Sequence, residues 1–142
     1  MQVRNALSDR AKIVVMVQPE DSVTAVAQSL RDRRKGLAIV CEMEGGPLGL
    51  ISVIDISRAV ADQEDKAPGL PAREAMNTKF VSCAMEDSVD HALDVMAEHH
   101  IRHLPVLDGG RVAAVVSFRE LLEARQKEAQ MTMEEMRRYV LG

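Results

Sequence analysis

Aromatic side chains are scarce in this sequence, which has no Trp, one Tyr and two Phe among its 142 residues. Proteins that bind single-stranded nucleic acids stack the bases on aromatic rings along a basic groove. This chain has few such rings, and its formal net charge is −4. The composition therefore argues against a nucleic-acid partner, although a local group of basic residues would suffice to hold a small anion.

Long apolar runs are also missing. The longest, such as residues 37–41 (LAIVC) and 112–118 (VAAVVSF), fall far short of the roughly 20 residues that cross a bilayer. The first residues, MQVRNALSDRAK, are interrupted by charges and lack the apolar core of a secretory signal peptide. We therefore expect no membrane partner and predict a cytoplasmic location.

The potential metal ligands are few and poorly spaced. Cys41 and Cys83 lie in apolar stretches, which predicts free buried thiols rather than a disulfide framework. No Cys-x-x-Cys occurs, and no His-x-x-x-His falls within a predicted helix. Adjacent His99 and His100 would point apart on a helix, and His91 falls on the outer face of its helix. The sequence therefore predicts no metal site.

What the sequence does contain is an internal repeat. The tripeptide Asp21-Ser22-Val23 recurs as Asp87-Ser88-Val89, 66 positions later. One residue is lost in a loop that contains Gly-Gly in both halves, and the offset is 65 afterwards. Beyond that loop the corresponding residues are Gly49 and Ala114, Ser52 and Ser117, and Asp55 and Glu120. The chain is thus predicted to consist of two halves with one plan.

Each half is predicted to run β-α-β-β-α. The predicted strands are residues 13–17, 37–41 and 48–51 in the first half and 80–83, 103–107 and 112–116 in the second. The first helix of each half begins at an Asp-Ser pair, Asp21/Ser22 or Asp87/Ser88, and both residue types are good N-caps. A Gly-Gly turn joins the second and third strands, and the second helix begins at each Ser-x-x-Asp/Glu.

Composition also divides the chain into segments. We expect the first repeat in residues 1–62, a linker in 63–75 that carries charges, prolines and a glycine, the second repeat in 76–126, and a helical tail in 127–142. Within the tail, the stretch from Thr132 to Glu135 is a capping-box pattern and predicts a short helix. Met133, Met136 and Val140 would share one face of that helix, which would have to pack against something.

Two stretches carry a resemblance to a known family. Gly-x-x-Ser-x-x-Asp at residues 49–55 and Ile-Arg-His-Leu-Pro-Val at 101–106 resemble the cystathionine-β-synthase (CBS) domain family, over roughly residues 12–124. The resemblance implies a mixed α/β (α+β) fold, in which two β-α-β-β-α repeats pack as one pseudo-two-fold module, here with a short C-terminal helix. It also implies that adenosine-containing ligands bind in the cleft between the repeats and that two modules form a homodimer.

The Ser-x-x-Asp/Glu motif has two compatible interpretations. As a capping box, the Ser and the acid satisfy free amides at a helix start. The same helix N-terminus can also hold an anion. The resemblance implies that Asp55 binds ribose while Ser52 lies near the sugar or phosphate, with Ile54 between them. Because Glu120 replaces the Asp in the second copy, we expect Ser52 and Asp55 to form the better site.

Basic residues near the second motif are candidates for phosphate contacts. The resemblance places such contacts at Arg102 and His103, and Arg119 lies inside the second motif. The alternatives are a solvated side chain for Arg102 and a structural role for His103. The candidate ligand-binding residues are therefore Ser52, Ile54, Asp55, Arg102, His103, Ser117, Arg119 and Glu120.

These features predict a regulatory module rather than an enzyme. Neither serine motif carries a histidine base, and no phosphate-loop glycine pattern occurs. The expected regulatory ligand is an adenine nucleotide (AMP, ADP or ATP) or a related adenosyl compound such as NADH or S-adenosylmethionine. The alternative is a structural dimerisation module with an empty cleft. The helices after the motifs, at 56–61 and 120–124, carry apolar faces and predict the homodimer interface.

Overall fold

The computed structural model describes residues 1–42 and 46–141. In the first repeat the elements are β1 (Val15–Val17), α1 (Val23–Arg33), β2 (Leu37–Cys41), β3 (Pro47–Ser52) and α2 (Val53–Gln63). A short helix, α3 (Ala72–Ala75), precedes the second repeat. The second repeat contains β4 (Cys83–Ala84), α4 (Val89–Glu98), β5 (His103–Asp108), β6 (Arg111–Ser117) and α5 (Phe118–Leu141). Two 3₁₀ helices, Val3–Ala6 and Glu64–Gly69, complete the described elements.

The strands form two three-stranded sheets, with the orders β1-β2-β3 and β4-β5-β6. In each sheet the first strand is parallel to the second, and the second is antiparallel to the third. Ser52 lies opposite Leu37, and Ser117 lies opposite His103. The predicted two-repeat α/β fold is therefore confirmed, with the serine of each motif at the last paired position of its sheet.

Local signals act where they were expected. The hydroxyl oxygens of Ser22 and Ser88 accept hydrogen bonds from the amides of Ala25 and His91, at 3.1 and 3.0 Å, and so cap α1 and α4. In the second hairpin Gly109 and Gly110 have φ values of 59° and 81°, a backbone region that glycine enters without steric cost. The first Gly-Gly turn falls partly on residues 43–45, which lie outside the described residues.

The apolar core has three parts. Each repeat has its own cluster, around Ile51 in the first and around Leu104 and Leu121 in the second. A third cluster draws on both repeats and consists of Leu37, Ile39, Leu50, Val112 and Val115. Because this shared cluster lies between the two sheets, the repeats pack together as one unit.

The predicted linker is folded rather than extended. Ala67 and Ala72 are buried, and the amide of Ala72 donates to the carbonyl of Asp21 at 2.7 Å. The amide of Val23, at the start of α1, donates to the carbonyl of Leu70 at 2.8 Å. Proline and glycine marked a break in regular structure, but tertiary contacts hold this segment against the first repeat. The segment boundaries themselves stay predictions.

The C-terminal helix is present, but it does not begin at Thr132. It is the end of α5, which runs without a break from Phe118 to Leu141. The Thr132 hydroxyl donates to the carbonyl of Glu128 at 3.0 Å, one turn earlier, so Thr132 lies inside the helix. Met133, Met136 and Val140 are 57%, 63% and 78% exposed. The predicted apolar face of the tail therefore has no cover within the described chain.

Candidate functional site

The first motif is a complete capping box. The backbone amide of Ser52 donates to Asp55 Oδ2 at 2.8 Å, and the amide of Asp55 donates to Ser52 Oγ at 3.2 Å. The Ser52 hydroxyl lies 2.9 Å from the same carboxylate oxygen. Asp55 Oδ1 faces Arg58 at 3.7 Å, and the Asp55 side chain is 17% exposed. One carboxylate oxygen thus starts the helix, while the other contacts only the exposed guanidinium of Arg58.

A depression of about 410 Å³ lies beside Asp55. Its other charged lining residues are Arg58, Asp62 and Glu74, so acids outnumber bases around it. Met76 and Asn77 form one wall, because the backbones of Asn77 and Leu50 exchange two hydrogen bonds, of 2.8 and 3.0 Å. The depression therefore suits a polar ligand that carries little negative charge.

Gly49 leaves little room for a side chain at its position. A Cβ there would lie 2.7 Å from Met76 Sδ and 3.0 Å from the carbonyl oxygen of Asn77. The glycine of the motif therefore lets the segment that leads into the second repeat approach β3. The sequence analysis did not identify Met76 and Asn77 as site residues. The repeat offset was the available signal, because it pairs them with Arg10 and Ala11, and each pair precedes one repeat at an equivalent position.

The second motif is also a cap, but its acid is shared. The amide of Glu120 donates to Ser117 Oγ at 3.1 Å, and the amide of Ser117 donates to Glu120 Oε1 at 3.3 Å. Glu120 Oε2 accepts a hydrogen bond of 2.9 Å from the hydroxyl of Ser8. The carboxylate of Glu120 is therefore already engaged at both oxygens, unlike that of Asp55.

Each motif is contacted by the segment that leads into the other repeat. The segment around Ser8 leads into the first repeat, yet it contacts the second motif, and the amide of Val115 donates to the carbonyl of Ala11 at 2.9 Å. Likewise, the segment around Asn77 leads into the second repeat and pairs with Leu50 beside the first motif. Each candidate site is thus complete only when both repeats are folded together.

His103 connects the surroundings of the two motifs. Its backbone lies opposite Ser117, and its ring packs against Gly36, where an added Cβ would lie 2.6 Å from His103 Cε1. The carbonyl of Gly36 accepts from the amide of Val53 at the start of α2. Burial lowers the pKa of the half-buried His103 ring, Lys35 and Arg102 lower it further, and Glu120 opposes them. His103 is therefore a neutral contact between the repeats at pH 7.

Three cations gather near the second motif. Lys35 Nζ donates to the carbonyl of Arg10 at 3.0 Å, and the Arg10 guanidinium donates to the carbonyls of Arg33 and Arg34 at the end of α1. Burial lowers the pKa of Lys35, although the nearby Glu120 carboxylate raises it and Arg10 lowers it. The carbonyl of Arg102 accepts from the amide of Phe118, which places the backbone of Arg102 at the start of α5.

Two candidate residues lie apart from this group. Arg119 Nε donates to Glu123 at 3.0 Å, and the Arg119 side chain is 88% exposed, so it projects from the surface of α5. Ile54 is 62% exposed and adds an apolar side chain at the surface beside Asp55. The structure therefore gathers Ser52 and Asp55 at one motif and Arg102, His103, Ser117 and Glu120 at the other.

Other chemistry has little support in the described residues. Among residues 1–42 and 46–141, no three His, Cys, Asp or Glu side chains lie close enough together to hold a metal ion. Burial and the nearby Asp87 raise the pKa of the Cys83 thiol to about 12, which makes it a poor nucleophile. No helix in this part of the chain combines the length and the apolar character that crossing a membrane requires.

Gly36→Ala is expected to lower the free energy of unfolding by about 1–3 kcal/mol, because the new methyl group would displace the His103 ring. Gly69→Ala is a matched control, since nothing lies within 4 Å of a Cβ at Gly69. Neither glycine has a positive φ, so backbone strain does not separate the two changes. Urea unfolding of both variants measures the difference. Equal effects would mean that the contact with His103 does not constrain residue 36.

The match to a known family covers both repeats. The model of the CBS domain matches residues 10–62 and 72–127 of this sequence. The chain belongs to the CBS domain family. In this CBS-domain protein, the matched regions contain both sheets and both Ser-x-x-Asp/Glu motifs. The resemblance on which the sequence interpretation relied is therefore confirmed.

Curated relatives and solved structures are similar to this chain. The CBS domain-containing protein YhcV of Bacillus subtilis is 29% identical over 109 residues, which cover 76% of this chain and 76% of that protein. The chain spans between 29% and 66% of the length of three other curated relatives that it matches. A CBS-domain containing protein from Agrobacterium tumefaciens superposes with a TM-score of 0.81 at 28% identity, covering 88% of this chain and 99% of that one.

One structural neighbour was solved with ligands. The CBS domain pair of protein MJ0100 superposes with a TM-score of 0.78 and is 21% identical, covering 90% of this chain and 98% of that one. Its crystal structure is a complex with 5′-methylthioadenosine and S-adenosylmethionine. At this identity the likeness shows that the two proteins share a fold.

Proposed function

We propose that this CBS-domain protein is a regulatory module that binds an adenine nucleotide or a related adenosyl ligand between its repeats. The observation that carries the proposal is the different surroundings of the two carboxylate oxygens of Asp55. Its Oδ2 starts α2, whereas its Oδ1 has Arg58, 3.7 Å away, as its nearest cation, and the residue lines a depression of about 410 Å³. A carboxylate oxygen in this position can accept hydrogen bonds from two adjacent ribose hydroxyls.

Groups near the two motifs could hold the phosphate of such a ligand. The N-terminus of α2 or of α5 offers a positive dipole end to a phosphate. Lys35, Arg10 and Arg102 add cationic charge near the second motif. That a CBS domain pair of the same fold was crystallised with two adenosyl compounds supports this ligand class.

Regulation would follow from differential affinity. A ligand that binds two arrangements of the repeats equally well shifts neither of them. Because each site is closed by the lead-in segment of the other repeat, a ligand there contacts both repeats and favours one arrangement. The occupied or empty state would then pass to a partner or to a second copy. In this proposal the module is not an enzyme, and it acts in the cytoplasm.

A thermal-shift panel tests ligand binding. The compounds are AMP, ADP, ATP, NADH and S-adenosylmethionine, each added to the same protein sample. Stabilisation follows RT ln(1 + [L]/Kd), so a ligand present at about 100 times its Kd adds roughly 2.7 kcal/mol to the free energy of unfolding. The proposal requires at least one compound to raise the melting temperature. A panel without any shift would favour a purely structural module with an empty cleft.

Exposed apolar side chains favour a homodimer. Val53, Ile54 and Val60 of α2 are 54%, 62% and 55% exposed, and exposed apolar side chains grouped on one helix are a common feature of interfaces. In α5 the predicted interface residue Leu121 is fully buried within its own repeat. The exposed apolar side chains of α5 lie near its C-terminus instead. We therefore propose that α2 and the C-terminal part of α5 form the dimer surface. Light scattering at tens of micromolar protein should give the mass of two chains, and the mass of one chain would exclude this interface.

A further inference from the structure

We propose that the two motif sites accept ligands of different charge. The site at Ser117 and Glu120 holds the phosphate groups of an anionic ligand, and the site at Ser52 and Asp55 holds a neutral or cationic adenosyl ligand. The inference rests on the proposed function, because it assigns a ligand class to each of the two sites in that proposal.

The repeat places unlike residues at equivalent positions. The three cations near the second motif have uncharged counterparts, 66 positions away, in the surroundings of the first motif. The pairs are Arg10 and Met76, Lys35 and Ile101, and Arg102 and Gly36. Met76 lines the depression beside Asp55, and Gly36 bonds to the start of α2, so these counterparts do lie at the first site. For these two pairs the charge difference therefore lies at the sites themselves.

Acidic residues, in contrast, are concentrated at the first motif. The depression beside Asp55 is also lined by Asp62 and Glu74, with Arg58 as its cation. At the offsets of the repeat, Asp62 corresponds to Lys127 and Glu74 to Ser8. Lys79 is an exposed cation in the segment next to the first motif, and Arg10 and Arg102 at the second motif are exposed as well. The half-buried Lys35 is therefore the cation that salt screens least. A phosphate at the first site would meet like charge, whereas a sulfonium or an uncharged group would not.

At the second site Lys35 has unused hydrogen-bond donors, whereas the carboxylate of Glu120 is already hydrogen-bonded. Of the three N–H donors of Lys35, the bond to the carbonyl of Arg10 uses one. Both oxygens of Glu120 are engaged, by the amide of Ser117 and by the hydroxyl of Ser8. Since the Ser8 hydroxyl already donates to Glu120 Oε2, we expect Glu120 to be a poorer ribose acceptor than Asp55. The partly buried ammonium of Lys35 and the N-terminus of α5 remain, and both favour a phosphate.

Calorimetric titration with two probes tests this assignment. Sodium tripolyphosphate represents the anionic part without adenosine, and 5′-methylthioadenosine represents an uncharged adenosyl ligand. Wild type should bind both at once, and only tripolyphosphate should bind more weakly when salt rises from about 0.05 M to about 0.5 M. Lys35→Gln should weaken tripolyphosphate binding about tenfold and leave 5′-methylthioadenosine unchanged, because one charged hydrogen bond is lost. Asp55→Asn should show the reverse pattern.

Matched variants separate this effect from a change in net charge or in folding. Lys66→Gln removes one exposed positive charge from the 3₁₀ helix Glu64–Gly69, far along the chain from the second motif, and should leave both affinities as they are in wild type. Lys35→Arg keeps the charge and should retain most of the tripolyphosphate affinity. Thermal unfolding of each variant in the absence of ligand checks that the module is folded.

The outcomes also separate this inference from the proposed function. Failure of tripolyphosphate to bind wild type would overturn the inference, as would equal losses in Lys35→Gln and Lys66→Gln. Displacement of one probe by the other would place both in one site and would overturn it as well. Tripolyphosphate binding that depends on Lys35, without binding of any adenosyl compound, would uphold the anion site and overturn the proposed ligand class.

Discussion

Asp55→Asn is expected to weaken binding of the adenosyl ligand about ten- to a hundred-fold and to leave the fold nearly unchanged. The substitution keeps the shape of the side chain but removes its charge, and a hydrogen bond to a charged group contributes about 1.5–3 kcal/mol. The amide oxygen of Asn can still accept from the amide of Ser52, so the cap of α2 survives. Loss of a negative charge in the first helical turn costs only a few tenths to about 1 kcal/mol.

Glu120→Gln is the matched change in the second repeat. Its effect on the same ligand should be much smaller, because Ser8 and Ser117 already engage the Glu120 carboxylate. Calorimetric titration of wild type and both variants, with the compound that stabilises the protein most, makes the comparison. Equal, small losses would mean that both acids are helix caps only. A larger loss for Glu120→Gln would place the better ribose acceptor in the second repeat.

Ile39→Ala is expected to lower the free energy of unfolding by about 2–5 kcal/mol, which is a large share of the stability of a small domain. Ile39 is 1% exposed and belongs to the cluster that joins the two repeats, where it lies among Leu50 and Val115. Removing its outer carbons leaves a cavity between the sheets that rigid strands on both sides cannot fill. Denaturant unfolding, followed by circular dichroism, gives the change in free energy.

The same experiment tests whether the repeats unfold together. Because the cluster around Ile39 is shared, we expect a single transition that moves to lower denaturant as a whole. Met16→Ala on the neighbouring strand is the control, since Met16 is 55% exposed and its loss should change stability by less than about 0.5 kcal/mol. Two separate transitions, of which only one responds to Ile39→Ala, would contradict the view of the repeats as one unit.

Local patterns predicted most of the regular structure. Asp-Ser pairs before apolar runs predicted the starts of α1 and α4, and in the structure the serine of each pair, Ser22 or Ser88, is the cap. The Ser-x-x-Asp motif predicted the start of α2 for the same reason, since a capping box needs only residues three positions apart. Such signals succeed because the groups that interact are neighbours in the chain.

The tail shows how a local signal can fail. Thr132 and Glu135 have capping-box spacing, but no glycine or proline lies between Phe118 and Leu141 to end the preceding helix. Good helix formers such as Glu, Ala, Gln and Lys fill the stretch before Thr132. Continuing a helix adds one hydrogen bond for each residue fixed, whereas starting a new helix requires nucleation. The single long helix is therefore favoured.

The sequence alone determined the repeated β-α-β-β-α plan, the helix starts and the family, because these depend on short-range spacing and on a repeat that can be aligned with itself. Only the tertiary structure decided which segments close each motif. The bond between Ser8 and Glu120 joins residues 112 positions apart, and the contact between Gly36 and His103 joins the two repeats. Such contacts depend on how the two sheets pack, and no local pattern records that packing. The gathering of Arg10, Lys35 and Arg102 around one motif is a consequence of the same packing.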